Sequence, residues 1–162
     1  MAGQVVITVA PLMTNDTNLM RSLELKMIVR KETPADIERI TEITRAAFEH
    51  HPHSRQTEPF IILALRAGRA LAVSLVAEAD GKVVGHIAFS PVAVSDGSPG
   101  WYGLGPVSVI PALQRRGIGK AIVREGLAAL RELGAVGCVL VGDPGYYERF
   151  GFRNDPDLVY EG

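Results

Sequence analysis

The residue types most able to do chemistry lie together in Val107-Ser108-Val109-Ile110-Pro111-Ala112-Leu113-Gln114-Arg115-Arg116-Gly117-Ile118-Gly119-Lys120-Ala121. A strand stops at a proline, and a short turn delivers a Gly-x-Gly that opens a helix. The first N–H groups of a helix have no partner within it and point outward together, and the macrodipole adds positive potential. Such an end takes an anion, above all a phosphate. Gly117 and Gly119 let a phosphate reach the backbone with no Cβ in the way. Arg115, Arg116 and Lys120 add full charges around it.

Two common phosphate motifs compete for this stretch, and both fail on particular residues. Gly119-Lys120 resembles the tail of a P-loop, but that motif needs glycine where Gln114 stands and Ser or Thr where Ala121 stands. The dinucleotide fingerprint needs a third glycine where Ile122 stands, and an early βαβ unit that the chain lacks.

The elements that must position the loop can be read from period and punctuation. Met27-Ile28-Val29-Arg30-Lys31 reads as the first strand of the domain. Thr33 can cap a helix, Pro34 suits its first position and Asp36 its positive first turn. Ile37, Ile40, Ile43 and Ala47 then predict a helix to about Phe48. A second, shorter helix follows Pro59 and ends near Gly68. Strands from Leu75 and from Lys82 flank Asp80-Gly81, a dipeptide that favours a two-residue hairpin turn. Another strand runs from about Gly103 to Val109. A long helix spans about Gly117 to Leu133, with Ile118, Ile122, Gly126, Ala129 and Leu133 on one stripe and Gly134 as its stop. A buried strand over 136–141 and a short helix over 146–150 complete the order β-α-α-β-β-β-α-β-α, a mixed α/β sheet.

Residues 1–26 read as an appendage to a domain spanning 27–162. Val5 to Ala10 is apolar, but it is too short for a signal-peptide core and has no basic segment before it. The 162 residues suit one domain, large enough to bury a core without staples. A net charge of −1 supplies no global field for nucleic acid or an anionic membrane, so neither is expected as a partner. The single Cys138 fits a reducing cytoplasm.

Gln114-Arg115-Arg116-Gly117-Ile118-Gly119, after a strand ending Val-x-Pro, resembles the coenzyme A pyrophosphate loop of the GNAT superfamily of N-acyltransferases. Tyr147-Glu148-Arg149-Phe150-Gly151-Phe152 is similar to the Tyr-x-x-x-Gly-Phe signature near the end of such domains. Gly142-Asp143-Pro144-Gly145-Tyr146-Tyr147 and Gly105-Pro106-Val107 bring the sequence nearest to the YhbS-like branch. The resemblance covers about Met27 to Phe152. It implies the GNAT fold, a mixed and mainly antiparallel sheet flanked by helices. It also implies transfer of an acetyl group from acetyl-CoA to a primary amine by direct attack in a ternary complex, with no metal.

Residue by residue, the resemblance implies that backbone groups of Val107, Ser108 and Val109 bond the pantetheine arm. The amides from Arg115 to Lys120 then hold the pyrophosphate, and a backbone N–H near Val109 stabilises the oxyanion. Tyr147 matches the tyrosine that assists the departing thiolate, and Tyr146 reads as its packing neighbour. Family members often carry a glutamate on the strand where Trp101 to Val109 has none, so Glu78, His86 or a held water remain open as the base. A coenzyme A-binding regulatory module without turnover is the alternative, and a nucleotide or other phosphate binder a third.

Other candidates have plainer readings. His50, His51 and His53 read as a solvated loop rather than a metal site. His86 reads as a hydrogen-bonded strand residue and Cys138 as a small core hydrophobe. Only ten residues follow Phe152, so the closing strand of the family sheet is expected to be missing and its open edge to invite a second copy.

Overall fold

The computed structural model describes residues 6–9 and 26–158. Among the described residues seven strands form one sheet: β1 (Val6–Val9), β2 (Met27–Lys31), β3 (Val73–Ala79), β4 (Lys82–Pro91), β5 (Trp101–Val109), β6 (Gly137–Val141) and β7 (Arg153–Asn154). Their order across the sheet is β2-β3-β4-β5-β6-β1-β7, with every described pair antiparallel except β5 with β6. The helices are α1 (Ile37–Phe48), α2 (Glu58–Ala67), α3 (Ile118–Glu132) and α4 (Pro144–Tyr147).

The sequence elements from Met27 onward form where their patterns place them. Asp80 and Gly81, at φ 49° and 77°, make the left-handed turn that joins β3 to β4. A short 3-10 turn over Pro34–Asp36 precedes α1. Asp36 is buried there, accepts from the backbone N–H and hydroxyl of Thr33, and pairs bidentately with Arg30 at 2.8 and 3.1 Å. Arg30 also donates from Nε to Glu78 at 2.9 Å, so one guanidinium ties β2, β3 and the entry to α1.

Two apolar layers sit on the two faces of the sheet. One packs α3 against Leu75, Ala77, Ile87 and Phe89 through Ile118, Ile122, Val123, Leu127 and Leu130. The stripe ends on Leu130 rather than Leu133, which is 53% exposed because it lies past the last turn that faces the sheet. Gly126 is there because Phe89 lies against it: an added Cβ would come within 2.4 Å of the ring. The other layer joins Ile40 and Ile43 of α1 and Ile62 of α2 to Val76 and Val83.

The N-terminal reading needs correction. β1 pairs antiparallel with β6, from Val6 opposite Val141 to Val9 opposite Cys138, and with β7 on its other side. Part of the segment read as an appendage is therefore a strand of the sheet, lying between β6 and β7. Four consecutive β-branched residues suit a strand. The remainder of the 1–26 appendage, apart from Lys26, lies outside the described residues.

Candidate coenzyme site

Strand β5 is the wall on which the site is built. It pairs with β4 along most of its length, with Gly105 and Pro106 unpaired against Ala88. Proline has no N–H to give the ladder, so a bulge is where a strand tolerates it. On its other side β5 pairs with β6 only from Trp101 to Gly103, opposite Gly137 to Val139. Beyond Gly103 the two parallel strands carry no further pairing, which leaves an opening between them on the side of β5 away from β4.

The loop lies at the end of that opening. A 3-10 turn over Pro111–Leu113 leads to Gln114, whose side-chain Nε2 donates to the Val109 carbonyl at 3.0 Å. Arg115 and Gly117 both take left-handed φ, 62° and 85°. Gly117 is the residue at which α3 begins, and nothing lies within 4 Å of where its Cβ would stand. Gln114, Arg115, Arg116, Gly117 and Lys120 are exposed, whereas Ile118 turns inward to the core. The loop thus exposes two guanidinium groups and an ammonium within a few residues of the free N–H groups that begin a fifteen-residue helix.

Val107 and Val109 are half-buried, and Ser108 is buried on the opposite face. There its hydroxyl lies 3.3 Å from that of Thr44 in α1. The Ser108 side chain therefore serves the α1 packing, while its backbone lies in the ladder opposite His86.

Asp143 starts α4, accepting at Oδ1 from the Gly145 N–H at 3.0 Å. This turn carries both tyrosines. Tyr147 packs against Phe150 and Phe152, with its ring over Gly142. Burial first, then Tyr146 and Asp143, push its phenol up to about 12, so it holds its proton at neutral pH. Tyr146 stands edge-on to Tyr147, with ring centroids 4.9 Å apart. Its hydroxyl reaches across to α3 and lies 3.1 Å from the position of a Cβ on Gly119. Sequence reasoning missed this contact; the only available signal was a second aromatic about 100° further round the same turn.

The base candidates are placed elsewhere. Glu78 is held by Arg30 on the β2 side of the sheet, two strands from β5. His86 is sealed under α1 and α2, its Nε2 2.7 Å from the Ser74 hydroxyl and 3.7 Å from Glu32. Glu32 in turn makes a bidentate pair with Arg66 of α2, at 2.7 and 3.1 Å. Burial lowers the His86 imidazole to about 4, so it is neutral at pH 7. Cys138 is buried and its thiol is pushed up to about 12, which makes it inert packing. His50, His51 and His53 are exposed, and no group of metal-ligating side chains occurs among the described residues. No described helix is long and apolar enough to cross a membrane.

Comparison with known proteins fits this geometry. The model of the Acetyltransferase (GNAT) family matches residues 37–152. The uncharacterized N-acetyltransferase YhbS of Escherichia coli is 36% identical over 128 residues, 78% of this chain and 74% of that protein. A GNAT family acetyltransferase from Brucella melitensis, solved in complex with acetyl-CoA, superimposes with a TM-score of 0.76 at 54% identity, over 82% of this chain and 91% of that one. The structure of E. coli YhbS in complex with CoA gives a TM-score of 0.73 at 36% identity, over 80% of this chain and 69% of that one. On its sheet, its loop and these relatives, the chain belongs to the GNAT acetyltransferase family, in the branch that contains YhbS.

Proposed function

We propose that the protein transfers an acetyl group from acetyl-CoA to a primary amine by direct attack within a ternary complex. The observation that carries this reading is the left-handed Gly117 starting α3 at the end of a strand that leaves its parallel neighbour after Gly103. The residues fit the coenzyme: open space surrounds the Cβ position of Gly117, and the charges offered are all positive. Relatives solved with acetyl-CoA and CoA support the same choice.

Acetyl-CoA supplies a thioester whose carbonyl is open to an amine. Amides from Arg115 to Lys120 hold the pyrophosphate, assisted by the side chains of Arg115, Arg116 and Lys120. Backbone groups of Val107 and Val109 that point away from β4 bond the pantetheine arm and fix the carbonyl, with those of Ser108 in the ladder to His86 between them. An N–H near Val109 stabilises charge on the carbonyl oxygen as the amine adds. Tyr147 keeps its proton at neutral pH and can donate to the departing sulfur. A thiol of pKa ~8.5 already leaves readily, so Tyr147 assists rather than decides. With Glu78 occupied and His86 sealed, the amine's proton goes to water held at the β5 backbone. Calorimetric binding of acetyl-CoA, followed by thiol release with a panel of amines, tests the reading.

The second reading is a coenzyme A-binding regulatory module without turnover. What favours it is the placement of both ionisable base candidates away from the opening. Micromolar binding of acetyl-CoA with no thiol released by any amine would select it.

A further inference from the structure

The hydroxyl of Tyr146 in α4 reaches across to the first turn of α3. It lies 3.1 Å from the Cβ position of Gly119, which is itself 4.0 Å from a Val109 methyl group. Val109 ends β5 and Gly119 lies in the first turn of α3, so the hydroxyl sits where strand and loop meet. Its placement is not a surface accident. Tyr147 holds the ring edge-on, Phe150 packs at 5.7 Å between centroids, and the Arg149 guanidinium lies 4.6 Å over its face. Gly119 leaves the space it occupies. The ring is half-buried, and its hydroxyl forms no hydrogen bond among the described residues. A phenol fixed on three sides, its hydroxyl open to solvent and without a partner in the described protein, is placed to exchange water for an external partner. Burial keeps it protonated, so it does not repel an anion.

We propose that Tyr146 is a coenzyme-binding residue whose hydroxyl hydrogen-bonds the bound coenzyme between the pyrophosphate and the pantetheine arm, leaving thiolate protonation to Tyr147. This rests on the reading of residues 114–120 as the coenzyme A loop, and it replaces the packing role that sequence reasoning gave Tyr146. It also gives Gly119 a second duty. Besides letting phosphate approach, it admits the phenol, so a methyl group at that position would displace the hydroxyl by a few tenths of an ångström.

The test is calorimetric titration of the full chain with coenzyme A and, separately, with adenosine 3′,5′-bisphosphate, which lacks the second phosphate and the pantetheine arm. Tyr146→Phe removes one oxygen and keeps the ring, so the fold is retained; equal thermal midpoints check this. The expected result is coenzyme A binding weakened roughly five- to tenfold, the range for one lost hydrogen bond, with adenosine bisphosphate binding unchanged. Unchanged coenzyme A affinity in Tyr146→Phe, or an equal loss for both ligands, would overturn the proposal. Failure of the unaltered chain to bind coenzyme A would instead reject the loop reading itself, and it is seen before any variant is made.

Discussion

Gln114 Nε2 donates to the carbonyl of Val109 at 3.0 Å, closing the loop that leads into α3 back onto the last residue of β5. An exposed side chain five residues along thus fixes the distance between the strand that would hold the pantetheine arm and the amides that would hold the pyrophosphate. The loop needs such a tie because it contains two left-handed residues, Arg115 and Gly117, of which Arg115 has a Cβ to accommodate.

Replacing Gln114 by alanine should therefore weaken acetyl-CoA binding without touching the coenzyme directly. One exposed hydrogen bond is worth about 1 kcal/mol, so the expected loss is roughly fivefold in affinity. The thermal midpoint should fall by only a degree or two. Calorimetry on the variant checks this, and full affinity would mean that the loop holds its shape unaided.

Gly117→Glu should abolish coenzyme binding. It places a carboxylate where the pyrophosphate would lie and forces a side chain onto φ 85°. The backbone strain alone costs about 1 kcal/mol and would leave the domain folded. A folded Gly117→Glu protein that still binds acetyl-CoA would remove the loop from the site.

Tyr147→Phe should lower the rate of acetyl transfer by one to two orders of magnitude, an order-of-magnitude expectation for losing a general acid to a fair leaving group. Affinity should be spared. The loss should shrink with acyl donors whose thiol is more acidic, since those need less protonation. An unaltered rate with all donors would take Tyr147 out of the mechanism.

The buried imidazole makes a prediction about stability. Burial lowers the His86 pKa to about 4, against the pull of Glu32 in the opposite direction and with Arg66 adding to the lowering. The unfolded chain binds this proton near pH 6.5 and the folded chain does not, so His86 costs nothing above pH 6.5. Stability then falls as pH drops through 6.5 toward 4, by up to about 3 kcal/mol. Urea midpoints at pH 7 and pH 5 measure the onset, and His86→Gln should flatten the difference. Equal midpoints for the unaltered chain would contradict a buried, neutral His86.

Much of this was legible in the sequence because the signals were local. The Asp80-Gly81 turn, the Thr33-Pro34-Asp36 helix start and the Gly-x-Gly opening of α3 each depend on residues within one turn of themselves. Period alone also identified the core stripe, except that Leu133 was chosen over Leu130. The pattern cannot tell which turn last faces the sheet. Long-range placements were not legible. Nothing in Val6 to Val9 says that it lies between β6 and β7, because a short apolar run does not name its partners. Nor does the order Tyr146-Tyr147 say that the first hydroxyl reaches Gly119 while the second ring packs beside Phe152. That depends on how α4 docks after β6. Equally, Glu78 and His86 could be judged as bases only once Arg30 and Ser74 were seen beside them.

If residues 114–120 and the length of β5 without a β6 partner hold coenzyme A, calorimetric titration of the protein with acetyl-CoA, with ATP as the control ligand, shows it. The expected result is micromolar binding of acetyl-CoA and none of comparable strength for ATP. Preference for ATP, or no binding of acetyl-CoA by the folded chain, would contradict it.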